Sequence, residues 1–199
     1  MNRPFAIVVA LVLASCSTPS SVGPLAVPLQ YKTMASPAEF TALPACATLS
    51  KIEVSDPRAN KELGKRFVEG KNSPAASVTA SSDITEWIRT GLESALHRSN
   101  LSTSSPNGPE LYVSVDQITT SENVLHRSGY EGRIVLTAEL RAHGSSCWKD
   151  RTDGFAENYG YAGSVENYQE TLNHALDRAI TRLLNTPEFR KSICGCGGA

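Results

Sequence analysis

The sequence predicts an α+β fold, a two-layer sandwich in which an antiparallel-rich sheet carries two helices packed on one face. Three observations predict it. Leu111, Val113 and Val115 alternate with Tyr112, Ser114 and Asp116, and Ile134, Leu136, Ala138 and Leu140 alternate with polar residues, so these strands each have one buried side. Two segments repeat apolar residues at helical offsets, each along a single face. Strands and helices that each have one apolar side satisfy one another when stacked in layers.

In chain order, the first strand runs from Leu49 to Ser55 and stops at Asp56-Pro57-Arg58, because proline removes a ladder donor. A loop or short hairpin through Gly64 and Gly70 leads to a short strand, Ala76 to Ala80. Asp83 caps the first helix, with Glu86 at capping-box spacing and Ile84, Trp87, Ile88, Gly91, Leu92, Ala95 and Leu96 on its inner face. It ends near Ser99-Asn100, and Pro106-Asn107-Gly108-Pro109 is a turn. After Leu111 to Val115, a strand from about Tyr130 to Ala142 turns at Gly144-Ser145-Ser146 into a return strand, Trp148 to about Tyr159. The polar start of that return strand suits a sheet edge. Ser164 caps the last helix, whose inner face holds Tyr168, Leu172, Ala175, Leu176, Ala179, Ile180, Leu183 and Leu184. Pro187 ends it or starts a final short turn.

The chain start carries a different signal. Arg3 precedes an apolar run, Phe5 to Leu13, that closes in Leu13-Ala14-Ser15-Cys16. This resembles a bacterial lipoprotein signal peptide with its lipobox: a basic start, a short apolar stretch and small residues before the cut. The resemblance implies cleavage before Cys16 and a lipid on its thiol. The run is too short for the ~20 residues of a membrane span, and a plain secretory signal is the alternative. The expected organisation is a signal peptide over residues 1–15 and a lipidated, flexible tether over 16–45. A single domain over 46–193 and a Cys/Gly tail over 194–199 follow. As flexible chain, the tether would reach roughly 30 Å, letting the domain stand clear of the bilayer; alternatively its Val27-Pro28-Leu29-Gln30-Tyr31 patch packs on the domain edge.

The formal net charge of −1 becomes −2 once Arg3 is lost, and no run of like charges occurs. That argues against nucleic acid as a partner, since phosphate binding needs a concentrated basic face. Of five cysteines, Cys16 is assigned to lipid. Cys46, Cys147, Cys194 and Cys196 allow three pairings, among which sequence does not choose. An exported chain sits where disulfides persist. A direct bond within Cys194-Gly195-Cys196 would close a strained ring, so pairing of that tail to Cys46 or Cys147 is expected.

Candidate chemistry is sparse. His97, His126, His143 and His174 lie outside metal-ligand spacing of one another, and no nucleophile elbow or phosphate loop is present. Glu53 with Asp56, or Asp150 with Asp153, has spacing for an acid and base pair, but such surface carboxylates are ordinary. Tyr159, Tyr161 and Tyr168 flank the last helix, either as a partner-binding edge or as packing onto the core. No catalytic, cofactor or metal residues are assigned.

Several segments together resemble the YajG family of bacterial outer-membrane lipoproteins. These are Asp56-Pro57-Arg58 with Leu63, Thr79-Ala80-Ser81 leading to Asp83, Pro106-Asn107-Gly108-Pro109 before Leu111, and the passage from Gly154 to Phe189. Their order over residues 50–190, joined to the lipobox, carries the resemblance. It implies no enzymatic activity and transfers one site, Cys16; the other four cysteines lie outside its pattern. The function expected is a non-catalytic envelope lipoprotein in the outer membrane. Its domain would face the periplasm and bind or support an unidentified envelope protein partner. An auxiliary lipoprotein of an envelope lipid-transport system and an envelope hydrolase are the alternatives. Ser17 favours the outer membrane, since an Asp there is the usual inner-membrane retention signal.

Overall fold

The computed structural model describes residues 22–36, 39–68, 75–101, 103, 105–124 and 128–196. In chain order these form β1 (Leu25–Val27), β2 (Lys51–Ser55), β3 (Glu62–Phe67), β4 (Ala76–Ala80), α1 (Ile84–Arg98), β5 (Glu110–Asn123), β6 (Ser128–Ala142), β7 (Ser145–Gly160), α2 (Val165–Asn185) and α3 (Pro187–Gly195). The strands make one sheet in the order β1-β4-β3-β5-β6-β7, with β2 also paired to β5. The signal-peptide residues 1–15 and Cys16 lie outside the described residues.

The sheet is mixed, which corrects the antiparallel-rich expectation. β1 runs parallel to β4, and both β2 and β3 run parallel to β5. The reason lies at Asp56-Pro57-Arg58. β2 pairs with the first half of β5 (Lys51 opposite Glu110, Ser55 opposite Ser114), and Pro57, lacking an N–H, takes the chain off that edge. β3 then rejoins the same edge farther along, with Gly64 opposite Thr120. Across the interruption, the Arg58 guanidinium folds back onto the Asp56 carboxylate at 2.8 and 2.9 Å.

Long β5, β6 and β7 form the meander that the alternating residues predict. β5 extends well past Val115 because a bulge at Asp116 shifts the pairing register between Val115 and Gln117. The phase of burial flips there, from Leu111, Val113 and Val115 to Ile118, Thr120 and Glu122. The hairpin joining β6 to β7 turns at His143 and Gly144, whose φ values of 51° and 77° suit a tight two-residue turn.

Both long helices begin as the capping residues predict. Asp83 accepts from the N–H groups of Thr85 (2.7 Å) and Glu86 (3.2 Å), and the Ser164 hydroxyl accepts from that of Asn167 (3.2 Å). The inner face of α2 buries Tyr168, Leu172, Leu176, Ile180, Leu183 and Leu184. Each such apolar side chain contributes roughly 1.5–3 kcal/mol through burial. α2 lies directly on β6 and β7, and the contact is closest at Gly154. A Cβ there would stand 1.9 Å from the Ala175 carbonyl oxygen and 2.5 Å from the Ala179 nitrogen, so helix backbone meets strand backbone. The Thr152 hydroxyl also donates to the Ala179 carbonyl at 2.8 Å. On the other flank α1 closes on α2 at Gly91, where a Cβ would meet Leu176 at 3.0 Å and the Tyr31 ring at 3.1 Å.

A third helix, α3, forms where the sequence predicts either the end of the last helix or a short turn at Pro187. Pro187 stands at its first turn, a position that tolerates proline. Phe189 and Ile193 are buried, with Phe189 edge-on to Trp148 of β7 at 5.3 Å. Cys194 therefore belongs to a helix rather than to a tail.

Substituting Gly154→Val will lower stability by more than about 3 kcal/mol, the upper range for overpacking, because neither backbone can give way. Gly195→Ala, where an added Cβ meets nothing within 4 Å, will be neutral within about 0.5 kcal/mol. Denaturant midpoints of the two variants check this, and equal midpoints would contradict the close contact.

Candidate functional site

Two buried carboxylates organise the polar interior, and both act on the segment expected to be a tether. The first is Asp177 on α2. It accepts from the Tyr31 hydroxyl at 2.6 Å and from the N–H groups of Met34 and Ala35 at 2.6 and 2.8 Å. One helical turn earlier, Asn173 donates to the Gln30 carbonyl at 3.1 Å and accepts from the Trp87 indole N–H at 2.9 Å. A further turn earlier, Gln169 donates to the Pro28 carbonyl. Positions 169, 173 and 177 form one row of the helix, since residues four apart lie on the same face. That row holds the backbone of residues 28–35 along its length.

The grip continues beyond that row. Arg98 of α1 donates to the Tyr31 hydroxyl at 2.9 Å and lies 4.3 Å from the centre of the Phe40 ring. Asn185 donates to the Glu39 carbonyl, and Arg190 of α3 reaches the carbonyls of Thr41 and Ala42. Val27, Leu29, Phe40 and Leu43 are buried in the core cluster. The described part of the expected tether is thus an edge strand followed by a strap over the helices, as the packing alternative for Val27 to Tyr31 anticipates. It covers the helical side rather than the bare side of the sheet.

The second carboxylate is Glu122 at the end of β5, fully buried. It accepts from Arg66 Nε and the Gly163 N–H, both at 2.6 Å, from the Tyr168 hydroxyl at 2.8 Å and from the Tyr130 hydroxyl at 3.2 Å. Arg66 in turn donates to the Gly23 carbonyl at 3.0 Å. Burial pushes the Glu122 carboxyl up, but the Gly163 N–H, Arg66 and Tyr168 together outweigh it and hold it below its ordinary 4.5. Burial and the facing carboxylate push Tyr168 far above the ordinary tyrosine range. This cluster pins the start of α2 and the start of the strap to the same end of the sheet.

The cysteines meet in two pairs. Cys46 and Cys194 stand at disulfide distance with Cα atoms 5.3 Å apart, and Cys147 and Cys196 do so with Cα atoms 5.9 Å apart. Both pairs converge on the end of α3.

The other candidates disperse. Glu53 pairs with Lys51 at 2.6 Å, Asp56 with Arg58 and Lys61, and Asp153 with Arg133 and Arg182, while Asp150 accepts from the Arg151 N–H, so each candidate carboxylate is engaged by its own neighbours. His97 and His143 are exposed, His174 is half-buried, and His126 lies outside the described residues. The tyrosines split: Tyr168 is core, edge-on to Tyr130 at 5.0 Å, whereas Tyr159 and Tyr161 are 74% and 81% exposed. No group of three or more metal-ligating side chains occurs among the described residues. Nor is any described helix long and apolar enough to cross a membrane.

On β5, β6 and β7, side chains that alternate with the core-facing ones are solvent-exposed, among them Gln117, Thr119, Glu131 and Arg133. Gln117, Thr119, Ser121, Glu131, Arg133 and Phe155 line a shallow hollow of about 350 Å³ on that side of the sheet.

The model of a family described as uncharacterized lipoprotein matches residues 46–193. The chain belongs to that family. The match spans β2 to α3 and leaves β1 and most of the strap outside it. Among solved structures, a Xanthomonas campestris protein shares 12% identity at a TM-score of 0.49, over 86% of this chain and 96% of that one. A Caulobacter crescentus protein shares 19% at 0.42, over 54% and 81%, and a minor lipoprotein of Acinetobacter baumannii shares 14% at 0.32, over 73% and 91%. No curated protein matches.

Glu122 binds its proton less readily in the folded chain than when unfolded. Its contribution to stability is therefore complete above about pH 4.5 and is lost as pH falls through the lower native value. Glu122→Gln, which leaves Arg66 without its buried partner, will cost about 3 kcal/mol at neutral pH. The stability curves of the two proteins will converge below pH 4.5. Parallel curves through that range, from denaturant titrations at several pH values, would contradict the assignment.

Proposed function

We propose that the chain is a YajG-like lipoprotein of the outer membrane, anchored by lipid on Cys16 and facing the periplasm. There it binds or supports another envelope component and performs no catalysis. The anchor rests on Arg3, the Phe5 to Leu13 run, Leu13-Ala14-Ser15-Cys16 and membership of a lipoprotein family. The membrane assignment rests on Ser17. The oxidising compartment and the two cysteine pairs at bonding distance support disulfides Cys46–Cys194 and Cys147–Cys196. Taken alone, closing either loop contributes up to about 4–5 kcal/mol in the chain-entropy treatment.

One observation carries the binding role. The helical side is sealed by the chain's own strap, while the other side of β5, β6 and β7 stays open, with Phe155 42% exposed on it beside Arg133 and Glu131. A flat strand surface with a half-exposed aromatic among mixed charges suits protein recognition better than enclosure of a small substrate. Support against catalysis comes from Glu122 and Asp177, whose oxygens are all engaged by the protein itself.

A photoreactive residue at Thr119 in intact cells will crosslink to a discrete envelope protein, and one at Arg89 on the exposed side of α1 will not. A partner drawn from a lipid-transport complex would select the auxiliary-lipoprotein role, and equal labelling from both sites would refute the proposed face. Cys16→Ser will leave an unprocessed precursor without lipid. The wild-type protein from outer-membrane fractions will begin at acylated Cys16 and show no free thiol. A mature N-terminus elsewhere, or fractionation with inner-membrane markers, would overturn the anchor or its address.

A further inference from the structure

The end of the sheet at which the strap begins carries a group of exposed aromatic side chains. Register places them together: Phe67 of β3 lies opposite Asn123 of β5, Asn123 opposite Gly129 of β6, and Gly129 opposite Tyr159 of β7. Tyr161 follows two residues later, in the turn before α2. Phe67, Tyr159 and Tyr161 are 37%, 74% and 81% exposed. The same end receives the incoming chain. Arg66, next to Phe67, donates to the Gly23 carbonyl at 3.0 Å, and a Cβ on Gly163 would stand 2.7 Å from its other guanidinium nitrogen. The first clasped residue and the Tyr161 turn are therefore within the reach of one arginine side chain.

Only six residues stand between Cys16 and Gly23, seven steps along the chain. A fully extended chain covers at most about 3.6 Å per residue, so a lipid on Cys16 lies within about 25 Å of that end. The opposite end, at the β6–β7 turn, lies roughly 45 Å away along strands rising about 3.4 Å per residue. A lipid on Cys16 would therefore favour this end of the sheet over the far one as the end nearer the bilayer.

Resting on the reading of Cys16 as the lipidated residue, we infer that Phe67, Tyr159 and Tyr161 form a rim that touches the phospholipid interface and stands the sheet end-on to the membrane. Tyrosine suits that layer, where a ring meets apolar chains and its hydroxyl meets water. Charge does not drive the contact. Among the described residues of the outer face near this end, Lys65 and Arg133 are matched by Glu131 and Glu157. The contact is therefore with the headgroup and acyl boundary of ordinary zwitterionic lipid, and salt does not weaken it.

The test uses full-length lipidated protein reconstituted into vesicles of dibrominated phosphatidylcholine, against vesicles of the unbrominated lipid. Single substitutions Tyr161→Trp, Tyr159→Trp and, at the far end, Ser145→Trp add a reporter at exposed positions to the background of Trp87 and Trp148. Flotation with the vesicles and the mass of the N-terminus are read on the same samples. The expected result is that brominated lipid removes most of the emission added at 161 and 159 and none of that added at 145, equally in low and high salt. Protein that floats with acylated Cys16 but shows no quenching at 161 and 159, or equal quenching at 145, keeps the anchor and overturns the rim. Protein that lacks the lipid and fails to float overturns both.

Discussion

Helix α2 is the element on which the rest of the structure depends, and its placement depends on the absence of a side chain at Gly154. Because strand and helix backbones meet there, the inner face of α2 beds fully onto β6 and β7. That depth brings its flank close enough to α1 for Gly91 to be needed at the crossing. The next face round, with Gln169, Asn173 and Asp177, is left at the level where an extended chain can lie across both helices. One helix thus serves the core on one side and the strap on another.

The buried charges follow the same logic. Removing a carboxylate from water costs several kcal/mol, so a lone one is not retained in a core. Asp177 recovers that cost from backbone N–H groups of the strap, which an extended segment would otherwise leave without acceptors. Glu122 recovers it from Arg66, two tyrosines and the Gly163 N–H. An apolar side chain at either place would pack as well, but it would not specify where the strap starts and where it turns. Between them, the two carboxylates set the path of the N-terminal segment over the domain.

Sequence patterns carried much of this fold and little of its organising interactions. The α1 and α2 boundaries were legible because Asp83 and Ser164 combine a capping side chain with an apolar repeat directly after it. β5 was legible only to Val115, since the Asp116 bulge reverses the alternation by which strands are recognised. β3, reading Glu-Leu-Gly-Lys-Arg-Phe, has no sustained alternation, and its parallel place beside β5 comes from the break at Pro57. α3 is nine residues long behind a proline, a pattern that suits either the end of α2 or a short turn as well as a helix. The strap's residues, Pro28 to Leu43, carry no secondary-structure period, so composition alone made them a tether. Its signal lies in the partner: Gln169, Asn173 and Asp177 recur every four residues beside the apolar stripe of α2, and the strap covers this row so that Asn173 and Asp177 are buried. Ring strain in Cys194-Gly195-Cys196 points the tail to Cys46 and Cys147 but does not say which cysteine takes which, and the fold selects by bringing Cys194 beside Cys46 and Cys196 beside Cys147.

The N-terminal segment is fastened to α2 rather than free, and amide hydrogen exchange at Met34 and Ala35 reads this most directly. With Asp177 accepting from both groups, their exchange in the native protein will be slowed to a degree comparable with the strand amides of β5 and β6. In Asp177→Ala they will exchange freely while the β5 and β6 amides keep their protection. Unprotected Met34 and Ala35 amides in the unaltered protein would contradict the account.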